Sequence, residues 1–270
     1  MKIIAFDIDG TSINRFRNVS KLTIKTLIAL HQSGYILVPT TGRCLNEIPK
    51  DIMNLNICNY AITSNGAKIT NLKTMETIYE NSMPAYLIQS LINTIDIKKW
   101  MLSIHNDNDV FDTHNFLRYA RRLLFHRDLN VRPKIENISD FLEAHLSIEK
   151  IQLTTRSRQD MDYFVKKVKT DFELEMPISR GRYIEITNKN VTKLSGVNKL
   201  LEFIGMHLSD VFSIGDDMND LELISNSGIG VAMGNANELI QSHADFVTKT
   251  NREEGFYFAL KKYFPENITF

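Results

Sequence analysis

The stretch Asp7-Ile8-Asp9-Gly10-Thr11, directly after the apolar tetrad Ile3-Ile4-Ala5-Phe6, decides how this chain is read. Apolar residues running into acid and glycine describe a buried strand that ends at a sharp turn. Side chains alternate along an extended chain, so Asp7 and Asp9 are expected to project to one side while Ile8 points away. Two like charges held that close need a cation or a shared proton to coexist. Mg²⁺, a hard cation that prefers carboxylate and carbonyl oxygen, meets that need. The plain alternative is a surface turn in which Asp and Gly merely end a strand.

Outward from that stretch, short apolar runs alternate with helical patterns, as a parallel sheet fed by crossover helices requires. The first strand is expected over residues 2–6. Ser20 caps a helix whose Ile24, Leu27 and Ile28 share a face and which Gly34 ends. Strands follow at 35–39 and 60–63, and Thr40-Thr41-Gly42-Arg43 is expected to open another helix. The pattern changes from Pro84 to about Tyr183. There a helix begun by Pro84, a strand at 100–105, a basic helix near 114–127 and further segments at 148–154 and 172–176 read as an inserted α+β domain. After Lys193 the alternation returns, with a helix to Gly205, a strand at 211–214, the run Gly215-Asp216-Asp217-Met218-Asn219-Asp220, and strand-like segments at 229–233 and 245–248. The expected fold is α/β, a doubly wound, mostly parallel sheet with an inserted α+β domain. Residues 1–82 and 184–270 form the core and 83–183 the insertion.

The bulk properties narrow the function classes. At 270 residues the chain exceeds one typical domain. Lys plus Arg and Asp plus Glu both number 32, a balance that argues against a dedicated nucleic-acid or membrane-surface protein. No apolar stretch approaches the ~18 residues of a membrane span, and the start meets acid too soon for a secretory signal, so a cytoplasmic protein is expected. The two cysteines, Cys44 and Cys58, have no zinc or redox spacing, and the seven histidines show no zinc-site pair. Any metal is therefore expected to be held by oxygen. The cluster Arg118, Arg121, Arg122 and Arg127 with Tyr119 and Phe125 reads as a solvated helix face rather than an RNA-binding surface. The composition sets no oligomeric state.

In an open α/β sheet ligands bind beyond the carboxyl ends of the strands, where residues distant in sequence meet. Asp7, Asp9, Thr41, Asn65 and Asp216 all stand at such ends. Phosphoryl transfer needs a nucleophile, an acid or base, a metal, and donors for the equatorial oxygens. Asp7 would attack phosphorus, and Asp9 would protonate the leaving oxygen and later deprotonate water. Asp216, with Asp7 and the backbone carbonyl of Asp9, would hold Mg²⁺. Thr41 and the amides of Ile8 and Gly42 would donate to the phosphate, and Arg43 and Asn65 are candidate substrate contacts.

The strand with Asp7 to Thr11, Thr41-Gly42-Arg43, Asn65-Gly66-Ala67, Lys193 and Gly215 to Asp220 together resemble the haloacid dehalogenase superfamily, in its Cof-type, sugar-phosphatase-like branch. Gly230-Val231-Ala232-Met233-Gly234-Asn235-Ala236, Ala244-Asp245 and Glu254-Gly255 are similar to that branch's C-terminal signature, so the likeness spans nearly all the core. The resemblance implies a type C2 cap in the insertion and a Lys193 that neutralises nucleophile and phosphate. It also implies that Asn219 touches phosphate and that Asp220 supports the metal site. Ser12, Cys44, Leu194 and Phe256 depart from the branch pattern, and Leu194 bears on how Lys193 enters its helix. The expected activity is Mg²⁺-dependent hydrolysis of a small phosphorylated metabolite, sugar phosphates first. A phosphotransferase or mutase, and a receiver-like phospho-acceptor module, are the alternatives.

Overall fold

A computed structural model describes residues 2–13, 18–95, 100–113, 132–155, 157–179 and 183–270. The chain divides into two units, one of residues 1–80 with 191–270 and one of residues 81–190.

In the first unit, β1 (Ile3–Phe6) lies between β2 (Ile36–Pro39) and β13 (Val211–Gly215), and β14 (Ile229–Ala232) and β15 (Phe246–Val247) continue the sheet beyond β13. Every pairing in the order β15-β14-β13-β1-β2 is parallel. Parallel bridges Leu37–Cys58 and Thr40–Ile62 set β3 (Tyr60–Thr63) beside β2, and β3 begins an antiparallel trio with β4 (Lys68–Asn71) and β5 (Thr77–Glu80). The chain thus steps outward from β1 in one direction early and, through β13, in the other direction late. The point of reversal lies between β1 and β13, which is where a doubly wound sheet opens a crevice at its carboxyl edge.

β1 shows why both faces of this sheet are covered. Ile4 and Phe6 enter a cluster with Leu27 and Leu30 of α1 (Lys21–Gln32) and with Phe256 and Leu260 of α9 (Gly255–Tyr263). Ile3 and Ala5 enter the opposite cluster with Val197, Leu200 and Leu201 of α6 (Lys193–Ile204). A strand buried on both sides reads as an unbroken apolar run, as Ile3 to Phe6 does. α1 starts where expected, the Ser20 hydroxyl accepting from the Thr23 amide.

The expected helix after Thr40 is not formed. A single 3₁₀ turn, Leu45–Glu47, is followed by the four-residue α2 (Lys50–Met53). Pro49 separates them, because proline lacks an amide proton and holds the preceding residue extended, as it does Ile48 at ψ 135°.

The second unit is α+β. β7 (Trp100–Asn106), β8 (Asp109–Asp112), β10 (Lys150–Thr155), β11 (Ile178–Ser179) and β12 (Tyr183–Ile186) form an antiparallel sheet in the order β11-β12-β10-β7-β8. Leu102, Ile104, Ile151, Leu153, Ile184 and Ile186 bury one face beside α3 (Ala85–Ile92), α4 (Ile138–Ala144) and α5 (Arg158–Asp171). Residues 184–190, assigned to the core in the sequence reading, fall in this unit because β12 pairs with β10 along its whole length. Phe172 to Met176 is not a strand, and only Glu175 makes a bridge, to Thr187. The basic segment expected near 114–127 lies outside the described residues.

One close approach inside the first unit sets where α6 begins. Gly66 has φ +103°, and a Cβ there would overlap the carbonyl of Thr192, while a Cβ on Gly196 would press on the Gly66 Cα. Two glycines thus let the turn after β3 and the first turn of α6 touch backbone to backbone. Gly66→Ala combines overpacking, typically about 1–3 kcal/mol, with left-handed backbone strain. It should destabilise the protein by about 2–5 kcal/mol in urea denaturation, and a loss under 1 kcal/mol would contradict this packing.

Candidate active site

Four strand ends supply the groups. Asp7 follows β1 and is buried, with its amide donating to the Ile214 carbonyl of β13. Lys193 is the first residue of α6, started by Thr192 and Ser195 in reciprocal side-chain to backbone hydrogen bonds. Leu194, the departure noted in the sequence, leaves this start intact. The Lys193 side chain is fully buried, and its Nζ donates to Asp7 Oδ1 at 2.7 Å and to Asp220 Oδ1 at 2.6 Å. Asp220 Oδ2 accepts from the amides of Asp216 and Asp217 at 3.2 Å, so both Asp220 oxygens are engaged.

Oxygens of Asp7, Asp216 and Asp220 lie within 4.8 Å of one another, the group of carboxylates among the described residues able to share a metal ion. Three carboxylates against one ammonium leave two negative charges in surplus when all are ionised. Burial penalises that surplus. The Asp216 carboxyl is pushed up to about 8, by burial first and then by the charges of Asp7 and Asp220. Burial also raises Asp7, to about 7, against the opposing pull of Lys193. Lys193 itself is pushed upward, since the two carboxylates outweigh the burial that disfavours its charge. A divalent oxygen-binding cation would offset that surplus of two charges. The donor set therefore fits Mg²⁺.

The loop after β1 wraps this cluster. Gly10 has φ +89° and no room for a Cβ, because the Asp216 carboxylate occupies that space. Thr11 Oγ1 donates to Asp216 Oδ1 at 3.1 Å. Asp9 behaves differently from expectation. β1 ends at Phe6, so strand alternation no longer governs Asp9, and its carboxylate takes two hydrogen bonds from Arg43, Nε to Oδ2 at 2.6 Å and Nη2 to Oδ1 at 2.8 Å. Arg43 also donates to the Glu47 carbonyl. Expected as a substrate contact, Arg43 is here a fork on Asp9, and Asp9's carboxylate stands outside the clustered oxygens.

Thr41 is buried, its hydroxyl accepting from the Arg43 amide and its carbonyl from the Asn65 amide, which stitches the loops after β2 and β3 together. Ile8 is buried in the core and Gly42 lies between Thr41 and Arg43. Asn65 adopts φ +61° and accepts from Asn219 Nδ2 at 2.9 Å, whereas the buried Asn219 Oδ1 has no hydrogen-bond partner. Asp217 caps the short turn Met218–Asp220 and is not part of the carboxylate group. The sequence reading gave no role to Thr11, Gly196, Asn235 or Asn251. Asn235 sits in the quoted run Gly234-Asn235-Ala236, the one signal that could have raised it.

The sequence model of the haloacid dehalogenase-like hydrolases matches residues 4–260. The chain belongs to that family. It is 29% identical over 271 residues to a Haemophilus influenzae protein bearing a provisional phosphatase name, covering 98% of this chain and 99% of that one. It is 26% identical over 265 residues, 97% and 95% of the two chains, to the 5-amino-6-(5-phospho-D-ribitylamino)uracil phosphatase YcsE of Bacillus subtilis. The fold is shared with a solved sugar phosphatase of subclass IIB, which superposes with a TM-score of 0.84 at 23% identity, over 97% of this chain and 99% of the other.

The raised Asp216 carboxyl carries a sign. Its folded-state affinity for a proton exceeds the unfolded one, so its contribution to stability is full at acid pH and is lost as pH rises through about 8. In EDTA, the protein should lose stability between pH 5 and pH 8, and Asp216→Asn should flatten that slope. An unchanged slope in the variant, measured by urea unfolding at four pH values, would refute the assignment.

Proposed function

We propose that this hydrolase is a cytoplasmic Mg²⁺-dependent phosphatase that cleaves small phosphorylated metabolites, sugar phosphates first, through a phosphorylated Asp7. The observation that carries the reading is Lys193, fully buried and shared by Asp7 and Asp220, beside Asp216 at the switch point of the sheet. Full-length similarity to proteins named as phosphatases supports the reaction class. Both cysteines are buried thiols, in keeping with a reducing compartment.

Asp7 attacks phosphorus, and the bond to the leaving oxygen breaks. Asp9, in its protonated form, exchanges its hydrogen bonds with Arg43 for one to that oxygen and gives it a proton. A water then gives its proton to Asp9 and attacks the phosphoryl group, which releases phosphate and restores the Asp7 carboxylate. The Thr41 hydroxyl, the amides of Ile8 and Gly42, Asn65, Asn219 and Lys193 hold the phosphoryl oxygens. The carboxylates of Asp7 and Asp216 and the carbonyl of Asp9 would hold Mg²⁺, while Asp220 fixes Lys193 and the backbone that presents Asp216. When bound, the metal offsets charge that develops on the transferring group. The inserted unit, taken as a C2 cap, determines which leaving group is accepted.

Phosphate release from a panel of sugar phosphates, nucleotides and pyridoxal phosphate should require Mg²⁺ and stop in EDTA. Asp7→Asn keeps the shape and should lower turnover by a factor on the order of 10⁴ or more. Retained turnover in that variant, or no Mg²⁺-dependent release on any substrate, would overturn the proposal. Isomerised sugar phosphate without phosphate release would identify a mutase instead.

A further inference from the structure

Asp216 receives donors on both carboxylate oxygens, and they come from two different loops. Thr11 Oγ1 takes Oδ1 at 3.1 Å, while Asn235 Nδ2 takes Oδ2 at 3.0 Å. The same Asn235 amide donates to the Gly10 carbonyl at 3.0 Å. Asn235 is itself fixed from behind, because its Oδ1 accepts from the Asn251 backbone N–H at 2.9 Å. Asn251 closes the circuit, its Nδ2 donating to the Ile13 carbonyl at 3.1 Å.

These bonds tie the loop after β1 to the loops after β14 and β15, with Asp216 at their junction. Around it the chain leaves little slack. Gly10 meets the Asp216 carboxylate so closely that no side chain fits between them, and the Asp216 amide is held by Asp220. Asn235 is exposed in the fold. An exposed asparagine gains little from an ordinary surface hydrogen bond, yet this one commits its Nδ2 to Asp216 and Gly10 and its Oδ1 to Asn251.

We propose that Asn235, braced by Asn251, is a positioning residue that holds the Asp216 carboxylate in the orientation needed to ligate a divalent cation. The proposal rests on the reading of Asp216 as a metal ligand. Two donors on one carboxylate set its plane, and an Asp216 oxygen lies within 4.8 Å of oxygens of Asp7 and Asp220. Asn235 touches no reacting atom and acts through Asp216. Groups that orient a metal ligand in this way commonly change metal affinity by about 10- to 100-fold when removed.

The test measures metal binding directly. Calorimetric titration of the EDTA-stripped full chain with Mn²⁺ or Mg²⁺ gives the dissociation constant for wild type, Asn235→Ala, Asn251→Ala and the double variant. Asn235→Ala should weaken binding about 10-fold or more while kcat at saturating Mg²⁺ stays within a few-fold. Asn251→Ala, which keeps the backbone amide on Asn235 and loses only the side-chain bond to the Ile13 carbonyl, should weaken it less, alone and in the double variant. Thermal melts of the metal-free proteins separate a structural role, which would lower Tm and leave the dissociation constant unchanged. Wild-type affinity in Asn235→Ala, or a larger loss in Asn251→Ala than in Asn235→Ala, would overturn the inference. Absence of metal binding in the wild type would instead overturn the metal reading on which it stands.

Discussion

The buried ammonium of Lys193 organises the first unit. Lys193 reaches, from the start of a helix in the second half of the chain, to a carboxylate at the end of the first strand and to another after β13. An isolated charge at that depth would be strongly unfavourable, and each partner is there because the others are. The pairing holds β1, β13 and α6 in one relation, so the switch point of the sheet is also the place where charge is concentrated. Ligand chemistry and fold geometry share the same few residues.

The surplus negative charge left after that pairing explains the rest of the site. Burial first, and then the charges of neighbouring carboxylates, disfavour the charged forms of Asp7 and Asp216. A site that holds protons reluctantly shed is also one that a hard divalent cation can enter by displacing them. Around it the neighbouring polar groups are already committed: Asp220 to Lys193 and two amides, Asp9 to Arg43, and Asn65 to Asn219. Glycines at 10, 66 and 196 are where the backbone or a carboxylate comes too close for any Cβ.

Much of this was legible in the residues. The tetrad before Asp7 marked β1, the run from Gly215 marked the end of β13, and Ser20 and Gly205 marked helix ends, because each rests on local chemistry. Pro49 was equally visible, yet the helix expected after Thr40 ignored it. The helix Arg158–Asp171 shows its buried stripe in Met161, Phe164 and Val168, but its polar remainder hides it from an eye set for apolar runs. The edge of the insertion was misplaced because Tyr183-Ile184-Glu185-Ile186 alternates as a strand of either unit would, and only its pairing with β10 assigns it.

The sequence by itself determined the kinds of groups present and the order in which strand ends deliver them, since strand, turn and cap signals act over a few residues. Only the tertiary structure decided who holds whom. Arg43 lies 34 residues from Asp9, and Lys193 lies 186 from Asp7. No local signal carries such a pairing. It follows from packing α6 on the sheet and from the charge balance that burial then enforces, which is why Lys193 found two acids and Asp9 found an arginine.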